Sequence, residues 1–262
     1  MKKSVPLVMS LALIGFTVLR AGFASAADVP NGCKGLPSHA ELRSKLKAAQ
    51  GQPNGGFGLE MWATVVNRDG EVCAVAFTGN NRGDQWPGSR VISAQKANTA
   101  NAFCLPGLAL STANIYSAVQ PGGSLFGLQE SNPVNTVVAY GGKPVNYGQP
   151  NDPMVGGRIG GVNVFGGGLG LYNADHQLVG GIGVSGDSSC ADHNIAWRTR
   201  NALNLDHVPG GVSGDAARPD NIVYDITAQP GQMPGVSAGG WGHPVCSADA
   251  TTIAAGLPPI QP

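Results

Sequence analysis

Charge is scarce in this chain, so each ionisable side chain is a candidate for chemistry. Of 262 residues, 16 are basic and 16 acidic, with five histidines and five cysteines. Cys190 and His193 stand three residues apart in a stretch with helical character, a spacing that puts a thiolate and an imidazole on one helix face, where they could chelate a metal. Lys96 and Arg90 stand amid small residues, and a cation on such a face suits an anionic ligand group such as a propionate. Gly181 to Gly186 spells G-x-G-x-x-G, with Asp206 about 20 residues further on, the spacing of a dinucleotide-binding turn. That reading fails on context, because the preceding strand belongs to a hairpin and no strand–helix–strand crossover follows. The same segment contains Ser185, but G-V-S-G-D is not the G-x-S-x-G of a hydrolase elbow. Its second copy, Gly211 to Asp215, lies in a Gly-rich tail.

The cysteines carry a second message. Cys33, Cys73, Cys104, Cys190 and Cys246 contain no C-x-x-C pair, which excludes a zinc ribbon, a thioredoxin-like motif and covalent c-type heme attachment. The first 26 residues have the form of an export signal: Lys2 and Lys3, an apolar run from Val5 to Leu19, then Ala24-Ser25-Ala26 as an A-x-A cleavage site. The mature chain then begins at Ala27 in a periplasmic or secreted setting, with no later membrane span. Oxidising conditions predict one or two intrachain disulfides. A bridge from Cys33 to Cys246 would tether both ends. With an odd count, Cys73 is the expected free thiol, because it falls inside a predicted core strand.

The elements that must position these residues follow from periodicity and turn chemistry. A capping box of Ser38 and Glu41 opens a helix over 38–50, with Leu42, Leu46 and Ala49 on one face. Strands over 59–66 and 71–77 flank the turn Asn67-Arg68-Asp69-Gly70. A helix over 89–103 presents Ser93, Ala97, Ala100 and Cys104 as a small-residue face able to lie close to a sheet, and a further helix is predicted over 108–119. Strands over 161–172 and 178–184 form a second hairpin, and a helix over 188–204 follows, with Ser189 and Asp192 resembling a capping box. A hairpin followed by a helix, twice, predicts an α+β domain around one sheet. Gly (40 in all) and Pro (19 in all) dominate the chain beyond Asp206, which reads as a tail packed on the domain. Zero formal net charge offers nothing to a phosphate backbone, so nucleic acid is not an expected partner.

Four ordered motifs resemble those of the GlcG/HbpS family, also called the heme-degrading or DUF336 family. They are Val65-Val66-Asn67-Arg68-Asp69-Gly70, Ala94-Gln95-Lys96-Ala97, Gly160-Gly161-Val162-Asn163-Val164 (with Asn163 where the family has Pro), and Val179-Gly180-Gly181-Ile182-Gly183-Val184-Ser185-Gly186. The resemblance runs over about residues 38–205, which sets a domain at 27–205 and a tail at 206–262. It implies a profilin-like three-layer α/β/α domain with a five-stranded antiparallel sheet. It also implies a small-molecule ligand, heme above all, and a homo-oligomer. No heme-ligand motif carries over onto a position of this chain. The expected function is noncovalent heme binding, with Lys96, Arg90 or backbone amides meeting propionates, and Gly167, Gly168 and Gly186 leaving room beside them. His193 is the candidate iron contact on this helix. Two alternatives stay open: a binding module for a small carboxylate or corrinoid-like ligand, and an enzyme that degrades heme or acts on a small oxygenated acid.

Overall fold

The computed structural model describes residues 31–262, so the export segment lies outside the described residues. The first helix, α1 (His39–Gln50), starts at the capping box. The Ser38 backbone N–H donates to Glu41 Oε2 at 2.9 Å, and the Glu41 N–H donates to Ser38 Oγ at 3.3 Å. Leu42, Leu46 and Ala49 are its buried face.

Four antiparallel strands form the sheet in the order β2-β1-β4-β3: β1 (Trp62–Asn67), β2 (Val72–Phe77), β3 (Gly168–Tyr172) and β4 (Leu178–Ser185). Trp62 pairs with Phe77 on one side and Ser185 on the other, which sets the register of the centre. The sheet has four strands, not the expected five, and the strand predicted over 161–172 forms only from Gly168 onward. The first part of that predicted strand passes through Gly161 (φ 76°) and Gly167 (φ 116°), left-handed conformations that cannot continue a strand. The free edge of β2 meets a loop instead, where the Val72 N–H donates to Gly157 O at 2.9 Å.

Side chains alternate across the sheet and divide its core in two. Ala63, Val65, Leu169, Leu171, Ile182 and Val184 pack with Leu42 and Leu46 of α1 and with Ile195 and Trp197 of α5 (Ser189–Ala202). Trp62, Val66, Val75 and Phe77 pack with Val91, Ala94 and Ala97 of α2 (Ser89–Phe103). Helices thus cover both faces. The small-residue face of α2 lies close to the sheet because β4 is glycine where they cross. A methyl group on Gly183 would sit 1.9 Å from Ser93 O, and one on Gly181 2.4 Å from Ala97 O. These glycines serve helix–sheet approach.

The segment 108–119 is not the single helix its composition predicts. Ser111 and Asn114 close a short 3-10 turn, Thr112–Ile115, and Thr112 Oγ1 is drawn to Phe165 O at 2.7 Å. Two short helices, α3 (Leu128–Ser131) and α4 (Thr136–Tyr140), lie in the turn-rich stretch that follows. Beyond Asp206 the chain runs against α5. The Arg200 guanidinium grips Asp220 at 2.5 and 2.8 Å, and Trp197 Nε1 donates to Pro258 O at 2.9 Å. This part adds the hairpin β5 (Ile226–Gln229) and β6 (Gln232–Ser237), then α6 (Ala248–Ala255). No helix among the described residues is long and apolar enough to cross a membrane.

The two disulfides are Cys33–Cys73 and Cys190–Cys246, so each terminal cysteine pairs with a cysteine of the domain rather than with the other, and Cys73 is not the free thiol. Cys73 is the one half-buried residue of β2, turned towards the chain's N-terminal turn, where Cys33 meets it. The free thiol is Cys104, at the end of α2, fully buried against Ala109, Tyr172 and Val208. Burial pushes its pKa up to about 11, so it packs as an inert hydrophobe.

Candidate functional site

Lys96 projects from the middle of α2 into the interior, with no exposed surface. Its Nζ donates to Asp192 Oδ2 at 2.6 Å and to Val184 O at 3.1 Å, and lies 5.0 Å from the Phe165 ring centre. Burial pulls the lysine pKa down and pushes the Asp192 carboxyl up to about 6, each against the pull of the other's charge. The second helix cap differs from the expected one. Ser188 caps α5 through the Ala191 N–H, which frees Asp192 to accept from the Asp187 N–H at 2.9 Å and to hold Lys96.

Gly167 and Gly168 do lie beside Lys96, but protein atoms take the space a side chain would fill. A methyl on Gly167 would fall 2.3 Å from Val184 O and 3.0 Å from Lys96 Nζ. One on Gly168 would meet Thr112 Cγ2 at 2.4 Å, and one on Gly186 would meet Glu60 O at 2.5 Å. His193 is also enclosed. Its Nε2 lies 3.1 Å from Asn221 Oδ1 and 3.2 Å from the Ile222 N–H, while the sulfur of Cys190 is committed to a disulfide. The fold therefore does not bring Cys190 and His193 together as chelators. Burial lowers the His193 pKa to about 4, so the imidazole is neutral.

Arg90 stands about one and two-thirds turns before Lys96 and faces a different neighbourhood. Its guanidinium forks onto both oxygens of Asp152, donates to Ala139 O at 2.7 Å, and stacks 3.7 Å from the centre of the Tyr147 ring. Asp152 also accepts from the Gly148 N–H at 2.6 Å and the Met154 N–H at 2.8 Å. This buried pair fixes the segment 140–154 against the start of α2 and builds one wall of a cleft.

That cleft encloses about 360 Å³ and is lined by Trp62, Arg82, Pro87, Val91, Tyr140, Pro144 and Tyr147 among others, with Arg90 in its wall. It falls within the range of about 300–1,000 Å³ usual for small-molecule sites, and its lining is mainly apolar and aromatic. Two polar groups there are unused by the fold. Arg82 is exposed and makes no ion pair among the described residues, and the Tyr140 hydroxyl makes no hydrogen bond among them. A phenol is one of the side chains that hold heme iron, and an arginine matches a propionate, so this donor set fits heme. A second cleft of about 440 Å³, lined by Gln50, Asn54, Asp187 and Asp249 among others, presents acidic and amide groups and no aromatic ring.

Sequence reasoning missed Asp152, Tyr140, Tyr147 and Arg82. Their segments read as polar and turn-rich, and the signal that could have found the cleft is a cation, Arg82, four residues before Trp86-Pro87.

Residues 45–200 match the model of a family described as "Haem degrading protein HbpS-like", and the chain belongs to this HbpS-like family. The solved structures it is similar to include a PduOC:heme complex (21% identity, 65% of this chain and 95% of that chain, TM-score 0.44). Another is the DUF336 protein ORFY of Klebsiella pneumoniae (24%, 64% and 90%, 0.42). A third is a double mutant of Streptomyces reticuli HbpS (15%, 74% and 97%, 0.36). None of the curated proteins matches the chain.

Proposed function

We propose that the chain binds heme noncovalently in the cleft between the start of α2 and the segment 140–147. The observation that carries this reading is one cleft joining an aromatic wall to a phenol and an arginine that the fold leaves unused. Membership of a family described as haem-degrading supports the ligand class. Pro87, Pro144 and the Tyr147 ring supply the apolar surface that a porphyrin face needs, with the buried Trp62 and Val91 forming the floor behind them. Arg82 at the rim meets a propionate, and the Tyr140 phenol supplies an oxygen ligand. Arg90 keeps the wall in place through Asp152 and has no free charge to offer. The chain has no C-x-x-C-H, so nothing anchors a porphyrin by thioether bonds. Heme when bound supplies an iron centre able to exchange electrons and ligands.

Titration of the purified protein with hemin is the test. A saturable Soret band at one heme per chain is expected. Tyr140→Phe should shift the band and weaken binding by roughly tenfold, and Arg82→Ala by roughly threefold to tenfold, the scale of a charged hydrogen bond at a partly exposed site. A protein that leaves the hemin spectrum unchanged would sink the proposal, and a thermal shift with small acids but not hemin would favour the carboxylate-binding alternative. The family description also supports a degrading activity. Loss of the Soret band with release of iron, on adding a reductant in air to the loaded protein, would establish it. Two disulfides support export to an oxidising compartment. Mass spectrometry of the exported product should then begin at Ala27.

A further inference from the structure

Away from the cleft, the disulfide Cys190–Cys246 lies against a histidine. Cys190 Sγ is 4.0 Å from His243 Nδ1, and one ligand atom from each of Cys190, Cys246 and His243 falls within 4.8 Å of the others. Cys190 and His243 are buried, while Cys246 is exposed. His243 Nδ1, the nitrogen that faces Cys190, also lies 2.7 Å from Pro244 O, a contact that a cation bound at this nitrogen would replace; Nε2 is buried with no hydrogen-bond partner, and the ring lies 5.1 Å from that of Tyr116. Two sulfurs and an imidazole are the protein ligands of an open zinc site, which leaves a fourth position for water.

We infer that the reduced Cys190–Cys246 pair, together with His243, forms a binding site for a divalent, thiolate-preferring cation of the zinc class. The exposed Cys246 sulfur is where a reductant enters. A dithiol gives two electrons and two protons to the Sγ–Sγ bond. Cys190 and Cys246 become thiols, and the reductant leaves as its own disulfide. The cation then displaces the two thiol protons to solvent.

The three ligands stay together without the disulfide because other bonds hold their segments. The His243 N–H donates to Val223 O at 2.8 Å. Ser247, next to Cys246, donates to Gly55 O at 2.8 Å and caps α6 through the Ala250 N–H at 3.0 Å. Asn194 of α5 reaches both Asn54 O and Ala250 O, at 3.1 and 3.2 Å. The Cys190 N–H points at Cys246 Sγ from 3.3 Å, and the Ser189 hydroxyl lies 3.5 Å from the same sulfur, so both donors favour a thiolate there. Cys246, the exposed member of the three, is the side chain with room to swing to a spacing suited to Zn–S distances of about 2.3 Å.

The test uses Co²⁺ as the probe on the full mature protein, before and after reduction with a phosphine. The phosphine takes oxygen from water and becomes its oxide, so no added thiol competes for the ion. One equivalent of Co²⁺ with thiolate-to-cobalt charge-transfer bands is expected after reduction, displaced by Zn²⁺, and none before it. His243→Gln, which keeps both cysteines, should weaken Co²⁺ binding by roughly tenfold or more. Cys246→Ser should abolish the charge-transfer bands while Cys33 and Cys73 remain. Equal binding before and after reduction would overturn the inference. So would unchanged binding in His243→Gln, or bands that survive in Cys246→Ser and so arise at Cys33 and Cys73. Circular dichroism of the reduced protein checks that it is folded, and failure to bind in a folded, reduced protein also overturns it.

Discussion

Lys96 Nζ lies 2.6 Å from Asp192 Oδ2, and the two side chains are closed off from water. One belongs to α2 and the other to α5, so the pair joins the helices of the two sheet faces beside Val184 near the end of β4. Bringing two charges indoors costs several kcal/mol each, and mutual attraction offsets that only while both partners are present.

Lys96→Ala should therefore destabilise the fold by about 3–5 kcal/mol, because it leaves Asp192 buried and unpaired. Urea denaturation followed by circular dichroism measures this. Lys96→Met with Asp192→Leu should lose much less than the single variants combined, since no charge is then stranded. If Lys96→Ala left stability unchanged but weakened hemin binding, the lysine would have to reach the ligand, and the ion pair would not be its role.

Gly183→Ala tests the close approach of α2 to the sheet. The new methyl would sit 1.9 Å from Ser93 O and 2.4 Å from Ala97 N, both backbone atoms of a helix pinned by its own hydrogen bonds. Overpacking of this kind costs about 1–3 kcal/mol, and here the upper end is expected. A melting temperature equal to that of the native protein would show that the helix can yield. Gly88→Ala, where a methyl meets nothing within 4 Å, is the matched control.

Acid should expose the buried histidine of α5. His193 has a folded pKa lowered to about 4 from 6.5, chiefly because burial disfavours its charged form. The unfolded chain thus takes up the proton first. The stability tied to neutral His193 is complete above pH 6.5 and is lost progressively as pH falls towards 4, with a ceiling of about 3 kcal/mol at 1.36 kcal/mol per unit. His193→Gln should flatten this part of the stability–pH curve. A slope that is the same in the variant would assign it to other groups.

Self-association is expected through the surface around the cleft. Val137, Tyr140 and Val145, within nine residues of one another, are 80%, 63% and 66% exposed, large apolar side chains of the kind an interface covers. Light scattering should report a homo-oligomer, and Val137→Asp with Val145→Asp should return it to single chains. A monomer at all practical concentrations would refute this.

Where local chemistry decides, the sequence was legible. Ser38 and Glu41 cap a helix by contacts within one turn, and Asn67 to Gly70 turn a hairpin because Asn67 Oδ1 accepts from the Asp69 N–H at 2.9 Å and Gly70 takes φ 74°. The α2 helix begins and ends where its small-residue pattern says, and the ordered motifs led to the right family. What failed depended on partners far along the chain. Lys96 and Arg90 read as spare cations because nothing local shows that Asp192, 96 residues on, and Asp152, 62 residues on, would neutralise them. Cys73 read as a free core thiol because alternation cannot tell which side of an edge strand will meet Cys33. Gly167, Gly168 and Gly186 suggested room for a ligand, but Val184 O, the Thr112 side chain and Glu60 O take it. Helix caps and turns are short-range and therefore written in neighbouring residues. Charge pairing, disulfide choice and the shape of a cleft are settled only when distant segments are packed together, since burial alone makes an unpaired charge intolerable and a small side chain necessary.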